Sequence, residues 1–277
     1  MLVTGGSGYL GRWIAELAAE SWDVTASYAT KPAELDTVDW HQLDVRDVDS
    51  VRRLVDELRP QVIVHTAALN PGQGTDFEAV NVAGTANVAR AAAAAGARLI
   101  HISTDMVFDG QRGDYREADP LNPLNEYGRT KALAEAAVAD SGASAAIVRT
   151  SLIYGWRPTV ARAAQWMIDS LERGETVRLW SDEMRNPIWV ESLAAATVEL
   201  AGLDHIGPLH IAGSEAVSRY EFGLALLQFH QVDTTQVVAI PSPSDQVRPL
   251  NCTLDSSLAR QALSTPLPGV GDVLALH

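Results

Sequence analysis

The chain is poor in features that mark several protein classes. It has one cysteine in 277 residues, so no internal disulfide framework is available. A thiol used this sparingly suits a reducing compartment, and Cys252 reads as a small core residue. Cations are also scarce, with 21 Lys and Arg against 35 Asp and Glu and a formal net charge of -14. That balance excludes the clustered basic surface on which nucleic-acid and anionic-membrane binding depend, so an anionic ligand must be held by local features. No apolar run is long enough for a membrane span: residues 88–97 contain Arg90 and are about half of the roughly 20 residues required. The start, Met1-Leu2-Val3-Thr4, runs straight into a glycine-rich turn, leaving no room for a charged leader and an apolar signal core; a cytoplasmic protein without a secretion signal is expected. There are no internal repeats. The seven histidines show no metal-ligand spacing, and no metal is expected.

What is present is a core-forming sequence, 47% hydrophobic with 13 prolines and 20 glycines, enough for one large or two closely packed domains. Short β-branched apolar runs at 1–4, 22–27, 38–43, 61–66, 98–103 and 145–150 alternate with helical patterns. The runs at 62–64 and 99–102 are apolar almost throughout, as strands of a parallel sheet covered on both faces must be. The expected fold is therefore α/β, a Rossmann-type doubly wound parallel sheet with helices on both faces. After Thr150 the rhythm changes: helices are expected at 159–173, 191–203 and 218–230, strands at 176–180 and 209–211, and a loop at Pro-Ser-Pro-Ser 241–244. Residues 1–150 read as a dinucleotide-binding domain and 151–277 as a smaller mixed substrate lobe interleaved with it.

Thr4-Gly5-Gly6-Ser7-Gly8-Tyr9-Leu10-Gly11 lies between the first strand and the first helix. Glycines there let the chain turn tightly, approach a pyrophosphate with its backbone and pack helix on strand, while the helix N-terminus offers free N–H groups. At the end of the second strand an acid would hold the ribose 2'-hydroxyl of NAD. Here Ser27, Tyr28 and Lys31 stand instead, which favours NADP(H) over NAD(H), with Ser27 and Lys31 as contacts to the 2'-phosphate. Asp44 and Val45, after the third strand, face the adenine in this reading; the competing role for Asp44 is a cap for the helix beginning near Asp47. Thr66, Ala67 and Ala68 offer small residues for the cofactor to lie against, and Asn81 is assigned to its surroundings as a structural or water-relay group.

Tyr127 and Lys131 begin a helix after a proline-bounded loop, and their four-residue spacing puts both on one face. A tyrosine that donates a proton to a carbonyl oxygen near neutral pH needs its pKa lowered from about 10, and a neighbouring ammonium would do this; the lysine can also bond the nicotinamide ribose. Ser103 and Thr104 end the fifth strand, on the sheet edge where ligands bind in such folds. Alternation sends one of them to the other face, and Thr104 is preferred as the catalytic hydroxyl, with Ser103 placed beside the cofactor.

Together these segments resemble the extended short-chain dehydrogenase/reductases, in particular the dTDP-4-dehydrorhamnose reductase branch. The resemblance spans nearly the whole chain, through the glycine turn, Thr66-Ala67-Ala68, Asn81-Val82-x-Gly84-Thr85, Ser103-Thr104-Asp105-Met106-Val107-Phe108-Asp109-Gly110, Tyr127-Gly128-x-Thr130-Lys131, Arg149-Thr150-Ser151 and Arg248-Pro249-x-Asn251-x-x-Leu254-Asp255. It implies reduction of the carbonyl of a nucleotide-linked 4-keto sugar by NADPH or NADH, with Thr104, Tyr127 and Lys131 as catalytic groups. It also implies substrate contacts at Asp105, Met106, Leu152 and Arg185, the last pairing with a diphosphate. Three positions depart from the family pattern. Leu152 stands where a Trp is usual, Met106 where a Tyr is usual, and Arg12 and Trp13 where some members carry a magnesium-binding carboxylate. Trp156, Arg157 and Trp180 are either pocket lining or packing. Two other readings stay open, an NAD-retaining sugar-nucleotide epimerase or dehydratase and a non-catalytic cofactor-binding regulatory subunit. The partner is a small-molecule substrate, with no nucleic acid and no membrane; self-association is left open.

Overall fold

The computed structural model describes residues 1–157, 162–243 and 247–277. In chain order its elements are β1 (Leu2–Thr4), α1 (Tyr9–Ala18), β2 (Thr25–Tyr28), β3 (Asp39–Gln42), α2 (Val48–Leu58) and β4 (Val62–His65). A π-helical turn, Glu78–Gly84, then runs into α3 (Thr85–Ala95), followed by β5 (Arg98–Thr104), a 3-10 turn (Asp105–Val107), α4 (Glu126–Ala139) and β6 (Ala145–Thr150). The remainder comprises β7 (Ile153–Tyr154), α5 (Arg162–Glu172), β8 (Val177–Trp180), β9 (Met184–Arg185), β10 (Ile188–Trp189), α6 (Val190–Ala201), β11 (Gly207–His210), β12 (Val217–Ser218), α7 (Arg219–Phe229), β13 (Val237–Ile240), α8 (Ser257–Ala262) and α9 (Val270–Leu276). The first residues of the helix expected from 159, and the last of the loop at 241–244, lie outside the described residues.

Seven strands form one parallel sheet in the order β11-β6-β5-β4-β1-β2-β3. The order reverses beside β1, which places a crevice at the carboxyl ends of β1 and β4 where a dinucleotide binds in folds of this kind. Every residue of β4 and β6 is buried, as the near-continuous apolar runs required. One face of the sheet carries Leu10, Ile14, Ala15 and Ala18 of α1 packed with Leu193, Ala194 and Leu200 of α6. The other is covered by Val51, Leu54 and Val55 of α2, Val88 and Ala92 of α3 and Val138 of α4.

The chain beyond residue 150 does not stay apart from this layer. The strand expected at 209–211 is β11, Gly207–His210, and it pairs in parallel with β6 at the sheet edge. α6 lies under the sheet against α1. A separate core forms around Tyr154, Met167, Leu179, Trp189, Phe222 and Leu227. Cys252 is fully buried in a fourth cluster with Val107, Phe108 and Leu254, and burial pushes its thiol up to about 12.

Candidate active site

The turn after β1 is built by close approach. Gly5 has φ +74, in the left-handed region, and a Cβ there would lie 2.5 Å from the Ala67 nitrogen; only glycine meets both demands. A Cβ on Gly11 would overlap the Gly5 carbonyl oxygen and lie 2.7 Å from Thr66 Oγ1. Thr66 ties the turn to β4, its hydroxyl donating to the carbonyls of Thr4 (2.8 Å) and Gly5 (3.1 Å). Ser27 is 1% exposed and its Oγ accepts from the Gly5 amide at 3.3 Å. It thus braces the turn, while Lys31 sits on the exposed loop beyond β2.

α2, α4 and α7 begin with side-chain caps from Asp47, Asn125 and Ser218. α1 begins at Gly8 with none. Its first-turn N–H groups, those of Tyr9, Leu10 and Gly11 among them, are left for an anion, and the helix dipole adds its positive end there. A dinucleotide pyrophosphate fits this donor set.

Asp44 is not the cap of α2; Asp47 is, accepting from Asp49 N (3.0 Å) and Ser50 N (3.1 Å). The Asp44 carboxylate is instead gripped by Arg46 at 2.7–3.0 Å, which holds it below the usual carboxylate range. Val45 is buried, and a Cβ on Gly84 would lie 2.7 Å from its Cγ2, so this loop and α3 need glycine to meet. Asn81 spans the loop after β4: its Oδ1 accepts from Leu69 N (2.8 Å) and its Nδ2 donates to Leu69 O (3.1 Å) and Thr130 Oγ1 (3.3 Å). It clamps the segment carrying Ala67 and Ala68 onto α4.

At the end of β5 the two hydroxyls separate as strand alternation requires. Ser103 Oγ donates to Glu135 Oε1 at 2.5 Å, within a buried network in which Arg149 grips Glu135 at 2.8–3.1 Å. Thr104 faces the other way. Its hydroxyl accepts from Met106 N at 3.2 Å and donates to Asp105 Oδ1 at 3.2 Å, and it sits near enough to Tyr127 to pull the phenol's pKa down. Gly128 makes this meeting possible, because a Cβ there would overlap the Met106 carbonyl oxygen and drive the start of α4 off the 3-10 turn.

Burial pushes the Tyr127 phenol up to about 12, against the pull of Thr104. The depression expected from Lys131 does not appear; the lowering neighbour is Thr104, and desolvation outweighs it, so the tyrosine is held as a neutral acid rather than a phenolate. Lys131 is also buried and is lowered to about 8 by desolvation. Its Nζ donates to Ile102 O at 2.6 Å and lies 3.4 Å from His101 Nε2, a partnership no sequence motif announced.

On the substrate side, Asp105 is buried, accepts from Ser151 Oγ at 2.6 Å and lies 3.6 Å from Arg185; burial raises its pKa despite these partners. Arg185 is 3% exposed, and its guanidinium donates to the carbonyls of Met184 (2.7 Å), Leu250 (3.0 Å) and Pro249 (2.8 Å). It fastens the Arg248-Pro249-x-Asn251 segment to β9. Arg248 pairs with Glu183 at 2.6 Å and stacks 3.8 Å over Trp180. The Met106 sulfur accepts from Arg185 at 3.7 Å. Leu152 packs on the aromatic core around Tyr154 and Trp189, and Trp156 is packing too, 4.2 Å from Trp189 and 4.3 Å from Phe229. Sequence reasoning passed over Arg219. It opens α7 beside this cluster, its amide donating to Glu183 O, and among the described residues its guanidinium has no hydrogen-bond or ion-pair partner.

Residues 1–274 match the RmlD substrate binding domain family. The probable low-salt glycan biosynthesis reductase Agl14 of Haloferax volcanii is 32% identical over 99% of this chain and 95% of its own. The methionine adenosyltransferase 2 subunit beta of Mus musculus is 30% identical over 93% of this chain and 80% of its own. Among solved structures, the dTDP-4-dehydrorhamnose reductase of Bacillus anthracis in complex with NADP superposes with a TM-score of 0.83, at 26% identity over 99% of this chain and 96% of that one. A chain matched over residues 1–274 in this way, with a Rossmann-type parallel sheet, belongs to the RmlD substrate binding domain family.

Proposed function

We propose that the protein is an NADP(H)-dependent reductase of the carbonyl of a nucleotide-linked 4-keto sugar, of the dTDP-4-dehydrorhamnose reductase type. The observation that carries this is the placement of Thr104 beside Tyr127, and of Lys131 on the Ile102 carbonyl, at the carboxyl end of β5, near a helix that starts at Gly8 without a side-chain cap. The bound nicotinamide would supply the hydride. Thr104 and Tyr127 would hold the carbonyl oxygen between two hydroxyls, and the neutral Tyr127 phenol is the form that can hand it a proton. The positive Lys131, with one donor left beyond Ile102 O and His101, would hold the nicotinamide ribose and favour the phenolate that proton transfer leaves behind.

The NADP-bound Bacillus anthracis relative and the absence of an acid at Ser27–Lys31 support NADP(H), with NAD(H) as the alternative cofactor. Arg185 is spent on backbone carbonyls and Asp105, so we assign the anionic part of the substrate to Arg219. The single buried thiol of Cys252 suits a cytoplasmic setting, and none of the described helices is long and apolar enough to cross a membrane. A dehydratase would need an acid after Asp105, where Met106 stands; a regulatory subunit would not need the intact Thr-Tyr-Lys set.

Purified protein should oxidise NADPH, followed at 340 nm, with dTDP-4-keto sugars. Tyr127→Phe should lose turnover by a factor of about 100 or more while keeping NADPH affinity, and Arg219→Leu should raise the sugar-nucleotide KM alone. NADPH binding without turnover on any nucleotide keto sugar would overturn the assignment.

A further inference from the structure

One row of side chains under the active site takes no part in the chemistry above. Thr4, His65 and His101 are register partners on β1, β4 and β5, so they form a continuous line on one face of the sheet. All three are at most 1% exposed. His65 is fixed at both ring nitrogens, Nδ1 to Thr4 Oγ1 at 2.6 Å and Nε2 to Thr85 Oγ1 at 3.0 Å. His101 stacks on it, with ring centroids 5.4 Å apart and planes at 25°. The far edge of His101 ends at Lys131, Nε2 to Nζ 3.4 Å, while its Nδ1 has no partner.

We infer that His101 is a positioning residue for Lys131, accepting a hydrogen bond from the lysine ammonium at Nε2 and carrying its own proton on Nδ1. An ammonium has three donors and no acceptor, so a protonated Nε2 facing it would set donor against donor. The opposite tautomer leaves one buried N–H unpaired, which is the arrangement seen at Nδ1. His65 closes the far side: it cannot turn away, since both its nitrogens are taken, and its ring fixes the plane of His101. With Ile102 O and His101 Nε2 each holding a donor, the Lys131 ammonium is aimed, and its third donor points where the reductase reading places the nicotinamide ribose.

The charged or titratable groups around Lys131 are His101 on β5, His65 on β4, Glu135 and Tyr127 on its own helix, and Arg149 on β6, paired with Glu135. Both histidines are held neutral by burial and by the lysine charge, His65 at about 3. Around neutral pH the lysine therefore has the lone pair of His101 in its favour, together with a Glu135 carboxylate that it shares with the Arg149 guanidinium.

The test needs no substrate, because Lys31 is the only other lysine and lies exposed. In full-length protein carrying 13C-labelled lysine, NMR titration gives the Lys131 midpoint with Lys31 as internal reference. His101→Leu removes the acceptor and should lower the Lys131 midpoint by about one pH unit, the scale of one lost charge-assisted hydrogen bond. His101→Gln places an amide oxygen near the Nε2 position and should restore most of it. 15N spectra of wild-type protein should show His101 protonated at Nδ1 and bare at Nε2, a measurement that stands even if the leucine variant does not fold. An unchanged midpoint in folded His101→Leu, or a proton on Nε2 in the wild type, overturns the inference. The inference rests on the reductase reading only for its kinetic consequence: the alkaline limb of kcat/KM should move down with the Lys131 midpoint. If no carbonyl is reduced at all, the reductase reading fails while the NMR result still decides the role of His101.

Discussion

Lys131→Met should leave the protein inactive and close to wild type in stability at pH 7. Lys131 is 2% exposed, and burial brings it from 10.5 down to about 8. At 1.36 kcal/mol per pH unit, that gap is a charging cost of about 3 kcal/mol in the native state. Methionine has similar length, fills the same channel and carries no charge. Against the gain stand the lost bonds to Ile102 O at 2.6 Å and His101 Nε2 at 3.4 Å, which leave two buried acceptors short of a partner at about 1–2 kcal/mol each. The two sides cancel at pH 7 to within about 1 kcal/mol. The sign with pH follows from linkage: between about 8 and 10.5 the unfolded lysine holds its proton when the native one has lost it, so wild-type stability from this group rises through that window. Wild type should therefore gain on the variant across the same window, by about 3 kcal/mol in all. Urea unfolding of both proteins from pH 7 to 10.5, followed by far-UV circular dichroism, measures the difference. A variant less stable than wild type at pH 7, by an amount that does not change with pH, would refute the assignment of a buried, strained ammonium.

Three further outcomes follow from the packing. Arg149→Met leaves the Glu135 carboxylate, whose side chain is 5% exposed, without its guanidinium, and should cost about 3–5 kcal/mol in urea unfolding; the double variant Glu135→Leu, Arg149→Met should cost less than the two single costs combined. Gly128→Ala should lower kcat by about 100-fold with little loss of NADPH affinity, because its Cβ meets the Met106 carbonyl and displaces Tyr127 from Thr104. In Gly11→Ala the new methyl meets Gly5 O, Thr66 Oγ1 and Gly6 Cα; titration calorimetry should show NADPH binding at least about tenfold weaker, equivalent to about 1.4 kcal/mol.

Residues 1–150 were legible because their signals are local. A parallel strand buried on both faces must be apolar throughout, a phosphate turn must be glycine, and Tyr127 and Lys131 share a helix face by spacing alone. The preference for Thr104 over Ser103 followed from strand alternation, and the structure shows why it matters: Ser103 is drawn into the Glu135–Arg149 network, away from Tyr127.

What the chain order could not disclose depends on which side chain of the right type is left unpaired after folding. Arg185 resembles a diphosphate ligand in sequence, yet the fold surrounds it with three carbonyls and Asp105, while Arg219, in no motif, keeps its donors. Residues 209–211 gave a strand signal without saying which sheet would take it, since edge pairing with β6 depends on the path of α6 beneath the sheet. The tyrosine pKa turned the same way: spacing put a cation near Tyr127, and only the depth of burial decided that desolvation prevails. The histidine row needed register across three strands separated by more than 90 residues of chain. Local pattern thus determined the elements and the candidate site groups, and tertiary packing determined their protonation and their partners, because desolvation and pairing are set by neighbours that sequence distance does not reveal.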